Sequence, residues 1–187
     1  MTKIRCDWCG NDPLYMNYHD TEWGVPVYED KVLFEFLILE TFQAGLSWIT
    51  VLRKRENFRK AFDSFDYKKI AQYDEEKYNV LIQDTGIIRN KLKIKAAISN
   101  AQAFIGVQKE FGSFSDYIWG FVNGKPIKNS FKSLSELPAN TLLSDTISKD
   151  LKKRGFKFVG TTVVYAHMQA TGMVNDHVKS CFRYNKV

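Results

Sequence analysis

The sequence predicts an all-α protein. Three observations carry that expectation: long segments repeat apolar residues three and four positions apart, short breakers separate them, and no stretch shows the period-two alternation of a half-buried strand. The periodic segments are residues 30–42, 47–62, 67–71, 75–83, 91–106, 115–121, 143–154 and 159–171. The first places Leu33, Phe36 and Leu37 on one stripe. The second, third and fourth begin at or just after Ser47, Asp66 and Asp74, whose side-chain oxygens can accept bonds from the unpaired amides of a helix start. The fifth follows the glycine of Asp84-Thr85-Gly86, and the last two flank Gly155. Between the sixth and seventh, Asn123-Gly124-Lys125-Pro126 reads as a loop, and residues 129–144, with Pro138, read as an irregular excursion. No repeat, low-complexity tract or shift in composition marks a boundary, so residues 1–187 are expected to form one domain, long enough to bury its own core.

No apolar stretch approaches the length of a membrane span. Residues 1–7 carry charge but no apolar core or small-residue cleavage site, so a secretory signal is not expected and a cytoplasmic location is. Lysine and arginine outnumber the acids by 27 to 21, a balance that favours polyanionic partners. Three cysteines in a reducing compartment argue against a disulfide framework and leave metal binding or burial.

The placement of those cysteines favours metal. Cys6, Cys9 and His19 lie near one end and His167, His177 and Cys181 near the other, with no cysteine or histidine between. A zinc ion tying the two ends together requires such double clustering, and His177 and Cys181, four apart, share a face of one helical turn. Spacing alone does not select four ligands from six, and one rival set uses Cys9 in place of His19. Four protein ligands would close the coordination sphere and make the site structural.

Glu40 lies about 20° from Leu33 around the first helix, inside its apolar stripe. An ionised carboxylate there must pair, protonate or line a pocket. Glu35 projects away from that stripe and is expected to be solvated. Downstream, Ala44-Gly45-Leu46-Ser47-Trp48 is a glycine turn leading into a helix, and Trp8, Tyr15, Tyr18, Trp23 and Trp48 cluster in sequence around Glu40. Aromatic walls with one carboxylate suit a flat, nitrogen-rich, cationic ligand.

Two segments look like helix-hairpin-helix turns. The first runs from Gln83 through Gly86 to Lys91 and is followed by Lys93 and Lys95; the second runs from Leu151 through Gly155 to Thr162. Backbone amides at a helix start, among lysines, can dock a phosphate without reading sequence. Taken alone, each reads first as an ordinary solvated turn with basic residues.

The segments Asp12-Pro13-Leu14-Tyr15, Tyr18-His19-Asp20, Glu22-Trp23-Gly24-Val25-Pro26, Gln43-Ala44-Gly45-Leu46-Ser47-Trp48-Ile49-Thr50-Val51-Leu52, Gly86-Ile87-Ile88-Arg89, Lys153-Arg154-Gly155-Phe156-Lys157-Phe158-Val159-Gly160 and Val174-Asn175-Asp176-His177 together closely resemble the bacterial 3-methyladenine DNA glycosylase I family. The resemblance implies a helix-hairpin-helix glycosylase fold that excises 3-methyladenine from double-stranded alkylated DNA. It implies zinc on Cys6, His19, His177 and Cys181, with Cys9 an extra thiol. It assigns base recognition and catalysis to Glu40, Tyr18 and Trp48, with Trp8 and Trp23 as further walls. Leu46, on the turn with Gly45, matches the wedge that fills the gap left by the everted base. Gly155, Lys157, Gly160 and Thr161 fall on the DNA-anchoring hairpin. Asn175 stands where related glycosylases carry an aspartate, and no lysine nucleophile is evident, so the reaction should end at an abasic site. The protein is expected to work as a monomer, and His167 as a hydrogen-bonded core residue. The competing readings are a noncatalytic zinc-containing binder of damaged or bent DNA, and excision of a different alkylated base.

Overall fold

The structure, a computed structural model, describes residues 3–187; Met1 and Thr2, which open the stretch read above for a secretory signal, lie outside them. Among the described residues the chain is mostly helical, in the order α1 Pro13–Thr21, α2 Asp30–Gln43, α3 Trp48–Leu52, α4 Arg55–Ala61, α5 Tyr67–Ile70, α6 Glu75–Gln83, α7 Lys91–Phe111, α8 Phe114–Gly120, α9 Leu142–Lys153 and α10 Thr161–Ala170. Among the described residues no helix is long and apolar enough to cross a membrane.

Side-chain caps set most of the starts. Asp66 and Asp74 cap α5 and α6 as expected, and Asn90, Ser113 and Thr141 do the same for α7, α8 and α9. Ser47 stands ahead of α3, but its hydroxyl pairs with Thr50 Oγ1 at 2.8 Å instead of capping the backbone.

The secondary structure departs from the sequence reading in four places. α1 was not expected, because only Tyr18 and His19 are buried on it and no apolar stripe announces it. Its start is nonetheless written in Asp12-Pro13: the Asp12 carboxylate accepts from Leu14 N and Tyr15 N, and proline suits the first helical position. The segment 47–62 is two helices, not one, since the chain turns at Arg53 and Lys54 while both halves keep an apolar face to the core. α7 continues through Gly106 to Phe111 and stops only at Gly112. A two-residue parallel ladder, β1 Ile127–Lys128 against β2 Val174–Asn175, is too short for alternation to reveal.

α2 is the axis of the molecule. Every residue from Leu33 to Phe42 is buried, so the helix is covered on all sides and has no solvated face. The expectation that Glu35 is solvated is therefore wrong: it is 7% exposed and ion-paired, with Arg55 Nε at 2.6 Å and Arg59 Nη2 at 2.7 Å. Arg55 also reaches Glu22 at 2.6 Å and lies over the Phe36 ring. A buried charge of this kind persists because it is paired. Phe34 and Phe42 of α2 pack with Phe58, Phe62, Phe104 and Phe114 from the surrounding helices, each fully buried. Each such side chain contributes roughly 1.5–3 kcal/mol by leaving water.

The two ends of the chain lie together. Phe182 N donates to Ile4 O at 2.9 Å, and Arg5 grips Asp20 with two bonds of 2.8 Å. The segment after Trp23 runs hard against the end of α10: a Cβ on Gly172, at φ +70°, would stand 2.4 Å from Val25 C and Pro26 N.

Candidate active site

Trp8, Tyr15, Tyr18, Trp23, Glu40 and Trp48 all line one cavity of about 220 Å3. They reach it from several local structures. Tyr15 and Tyr18 come from α1, Glu40 from the last turn of α2, and Trp48 from the first residue of α3. Trp8 packs on Tyr15 and on Trp23, both with ring centroids 4.9 Å away, and Tyr18 lies 5.4 Å from Trp48. Gln43, Leu134, Leu137, Ala166 and Gln169 complete the wall.

Glu40 is 3% exposed and its Oε2 has no hydrogen-bond partner in the protein. Burial alone pushes its carboxyl up to about 8, because no cation or hydrogen-bond donor offsets the lost water. Burial, and then the nearby Glu40, hold the Tyr18 phenol well above its ordinary range, so it stays neutral. The indole Nε1 atoms of Trp8 and Trp48 are also buried without a partner. The same cavity wall thus holds one carboxylate oxygen and two N–H donors that the protein leaves unmatched, where buried polar groups are normally paired.

Behind the wall, the side-chain ligand atoms of Cys6, His19, His177 and Cys181 all lie within 4.8 Å of one another. Cys181 Sγ is 3.5 Å from both His19 Nε2 and His177 Nδ1, and Cys6 Sγ is 3.6 Å from His177 Nδ1. A tetrahedral zinc with ordinary Zn–S and Zn–N lengths places its sulfur and nitrogen ligands about 3.5 Å apart. The far ring nitrogens face acceptors, His19 Nδ1 to Asp20 Oδ1 at 2.9 Å and His177 Nε2 to Trp23 O at 3.1 Å. Each far nitrogen therefore carries the proton, and each inward nitrogen presents a lone pair. Of the two thiols, Cys181 is drawn toward its thiolate chiefly by the hydrogen bond from Cys6, which keeps the shared proton. Gly24, at φ +78°, leaves room for His177: a Cβ there would meet the imidazole Nε2 at 3.1 Å. The donor set fits a metal ion. Cys9 is outside it, its thiol directed at Cys6 O at 3.2 Å, so the rival set with Cys9 does not form. The cluster supports the cavity, since the His177 ring meets Trp23 edge-on at 4.6 Å and His19 meets Trp8 at 5.3 Å.

His167 takes no part in the cluster. It is buried, hydrogen-bonded to Leu33 O at 3.1 Å and pushed down to about 4 by desolvation. Asn175 is occupied with the chain end, donating to Tyr184 O and Val187 O and accepting from His177 N. The neighbouring Asp176 accepts from Tyr165, Asn129 and Gln169, and through Gln169 it fixes part of the cavity wall. Gln169 and Ala166 went unnoticed in the sequence, because nothing there shows which side of α10 faces Glu40.

Gly45 and Leu46 border a second, adjoining cavity of about 190 Å3 that also meets Glu40 and the start of α10 at Thr162. Leu46 is 43% exposed at the apex of its turn, and Gly45 holds φ +83°. The two turns read as hairpins differ. In the first, Gly86 N is taken by Asp84 Oδ1 at 2.7 Å, Lys54 Nζ covers Thr85 O and Gly86 O, and Lys93 is buried, so it offers a phosphate little. In the second, Gly155 at φ +95° turns the chain, Lys157 N and O are clamped by Asn100, and Thr161 Oγ1 pairs with Ser144. α10 begins at Gly160 with no side-chain cap, unlike α5 to α9.

A family model described as methyladenine glycosylase matches residues 8–184. DNA-3-methyladenine glycosylase 1 of Escherichia coli (strain K12) is 54% identical over 180 residues, 96% of each chain. The DNA-3-methyladenine glycosylase of Haemophilus influenzae is 48% identical over 177 residues, 95% of this chain and 96% of that one. A crystal structure of a 3-methyladenine DNA glycosylase I superposes with a TM-score of 0.93 at 54% identity, covering 96% of this chain and 98% of that one. A Staphylococcus aureus 3-methyladenine DNA glycosylase I, solved to explain 3-methyladenine recognition, gives 0.93 at 37% identity over 95% of each chain. With the family model matched over residues 8–184 and the relatives matched along nearly the whole chain, this chain belongs to the methyladenine glycosylase family.

Proposed function

We infer that this chain is a DNA-3-methyladenine glycosylase that hydrolyses the N-glycosidic bond of the damaged nucleotide and leaves an abasic site. The observation that carries the reading is Glu40, a buried and unpartnered carboxyl in a cavity walled by Trp8, Tyr18, Trp23 and Trp48. A neutral ligand gains little from such a wall. A flat cation gains from the ring faces and draws the Glu40 carboxyl toward its ionised form.

Docking is assigned to the second hairpin, with duplex phosphate at the uncapped start of α10 around Gly160 and Thr161, and with Gly155 and Lys157 shaping and charging the turn. Leu46, beside Gly45, enters the stack as the lesion swings out, at an unstacking cost of a few kcal/mol that damage lowers. Glu40 accepts a hydrogen bond from the amine edge of the base, Trp48 stacks on it, and Tyr18 orients it. Methylation at N3 leaves the base positively charged. When the C1′–N9 bond breaks, its electron pair neutralises that charge, water oxygen bonds to C1′, and the water's surplus proton passes to solvent. Normal adenine is too poor a leaving group for positioning alone to release it. Asn175 is bound into the chain end and supplies no base, and no lysine is assigned a covalent role, so the sugar ring stays closed to lyase chemistry.

We assign zinc to Cys6, His19, His177 and Cys181. Bound there it would cross-link the chain ends with no open coordination position and so act structurally. The chain is proposed to act as one domain and a monomer on double-stranded alkylated DNA. Incubating methylated duplex with the protein, without heating, and separating the released bases by chromatography is expected to give free 3-methyladenine. DNA binding with no release would instead support the noncatalytic binder, and release of another base would reassign the substrate.

A further inference from the structure

We propose that Lys93 is a positioning residue for the turn that carries Leu46, stiffening it so that the leucine can enter the DNA stack; the proposal rests on the wedge reading of Leu46. Lys93 is the third residue of α7, in the first turn after the Asn90 cap. A cation is disfavoured there by the partial positive charge of the helix start, and burial lowers the lysine's pKa further. It is also only 5% exposed. Its placement therefore needs a reason outside its own helix. The reason is on α2, because Lys93 Nζ donates to Phe42 O at 2.8 Å and to Ala44 O at 2.6 Å.

Those carbonyls sit at the C-terminal end of α2, where backbone acceptors lose their intrahelical partners and a cation is favoured. Immediately beyond them the chain reverses. Ala44 leaves the helix at ψ 115°, Gly45 takes φ +83°, and Leu46 N closes the turn on Gln43 O at 2.6 Å. Two residues later Trp48 begins α3. The ammonium thus holds the one short connection between Glu40 and Trp48, with Leu46 at its tip. Lys93 belongs to the first hairpin, whose lysines the sequence suggested for phosphate; it is spent internally instead.

A double-mutant cycle on fully paired DNA containing 3-methyladenine tests this. Lys93→Met is expected to lower kcat/KM on the order of 10-fold in the otherwise unaltered protein. In a Leu46→Ala background the same substitution is expected to change it less than about 2-fold, because the side chain being positioned is gone. Binding of the free base 3-methyladenine, followed by tryptophan fluorescence, is expected to stay the same in Lys93→Met, which separates a misdirected turn from a damaged cavity. Should Lys93→Met not fold, Lys93→Gln, which keeps one donor, enters the same cycle. An equal loss with and without Leu46, an unchanged kcat/KM, or weakened base binding overturns the proposal. If Leu46→Ala alone leaves turnover of paired DNA intact, the wedge reading itself fails and Lys93 loses its role with it.

Discussion

Glu40→Gln is expected to reduce release of 3-methyladenine while making the free protein more stable at and above neutral pH. The activity loss follows from removing the charge that meets the cationic base; a charged hydrogen bond contributes about 1.5–3 kcal/mol, so kcat/KM should fall roughly 10- to 100-fold. The stability gain follows from burial. The Glu40 carboxyl titrates near 8 in the fold against 4.5 in the open chain, so between those values the folded protein keeps a proton that the unfolded chain releases. Stability therefore falls as pH rises through that window; the penalty is absent below about 4.5 and complete above about 8, where it is on the order of 5 kcal/mol. Glutamine has no such titration, although its buried amide gives back about 1–3 kcal/mol if it stays unpaired. Thermal unfolding of both proteins near pH 8.5 should show the variant melting several degrees higher, and near pH 4 that gain should be gone, leaving the variant level with the wild type or below it. A variant that is both less active and less stable at high pH would mean the carboxylate is a structural partner and not a ligand for the base.

Removing the proposed zinc is expected to have the larger effect on the fold itself. Cys6 and His19 belong to the first 20 residues and His177 and Cys181 to the last 11, so their cluster closes the chain on itself and backs Trp8 and Trp23. Structural zinc contributes binding free energy directly to folding. The extensive core around α2 survives without it, so the loss should be partial: several kcal/mol, which for a chain of this size lowers Tm by roughly 10–20 °C. Elemental analysis should find one zinc per chain, and chelation or Cys181→Ala should lower Tm and turnover together, while Cys9→Ala should change neither. A protein free of zinc as purified, or one whose melting a strong chelator leaves unmoved, would remove the metal from this account.

The site was more legible in the sequence than the fold around it. Six cysteines and histidines gathered at two ends announce a metal cluster by position alone, yet choosing His19 over Cys9 needs the direction of each side chain. Glu40 could be found because a helical stripe passes through it. The same stripe misplaced Glu35, since α2 is enclosed and its other faces are paired with Arg55 and Arg59 instead of water. α1 has too few buried residues to show periodicity, and the break at Arg53 leaves the apolar pattern undisturbed. Lys93 looked like a surface cation because charge in a sequence carries no sign of burial, and Gln169 reaches the cavity only through the packing of α10 on α2.

The dependence of kcat/KM on pH, measured on methylated duplex from about pH 6 to about 9 for the wild type and Glu40→Gln, tests most directly whether a buried acid meets the cationic base. The wild type should rise with pH to a plateau with a midpoint near 8, as the carboxyl ionises in the free enzyme, and the variant should be lower and flat. The same rising limb in both proteins, or a flat wild type, would contradict it.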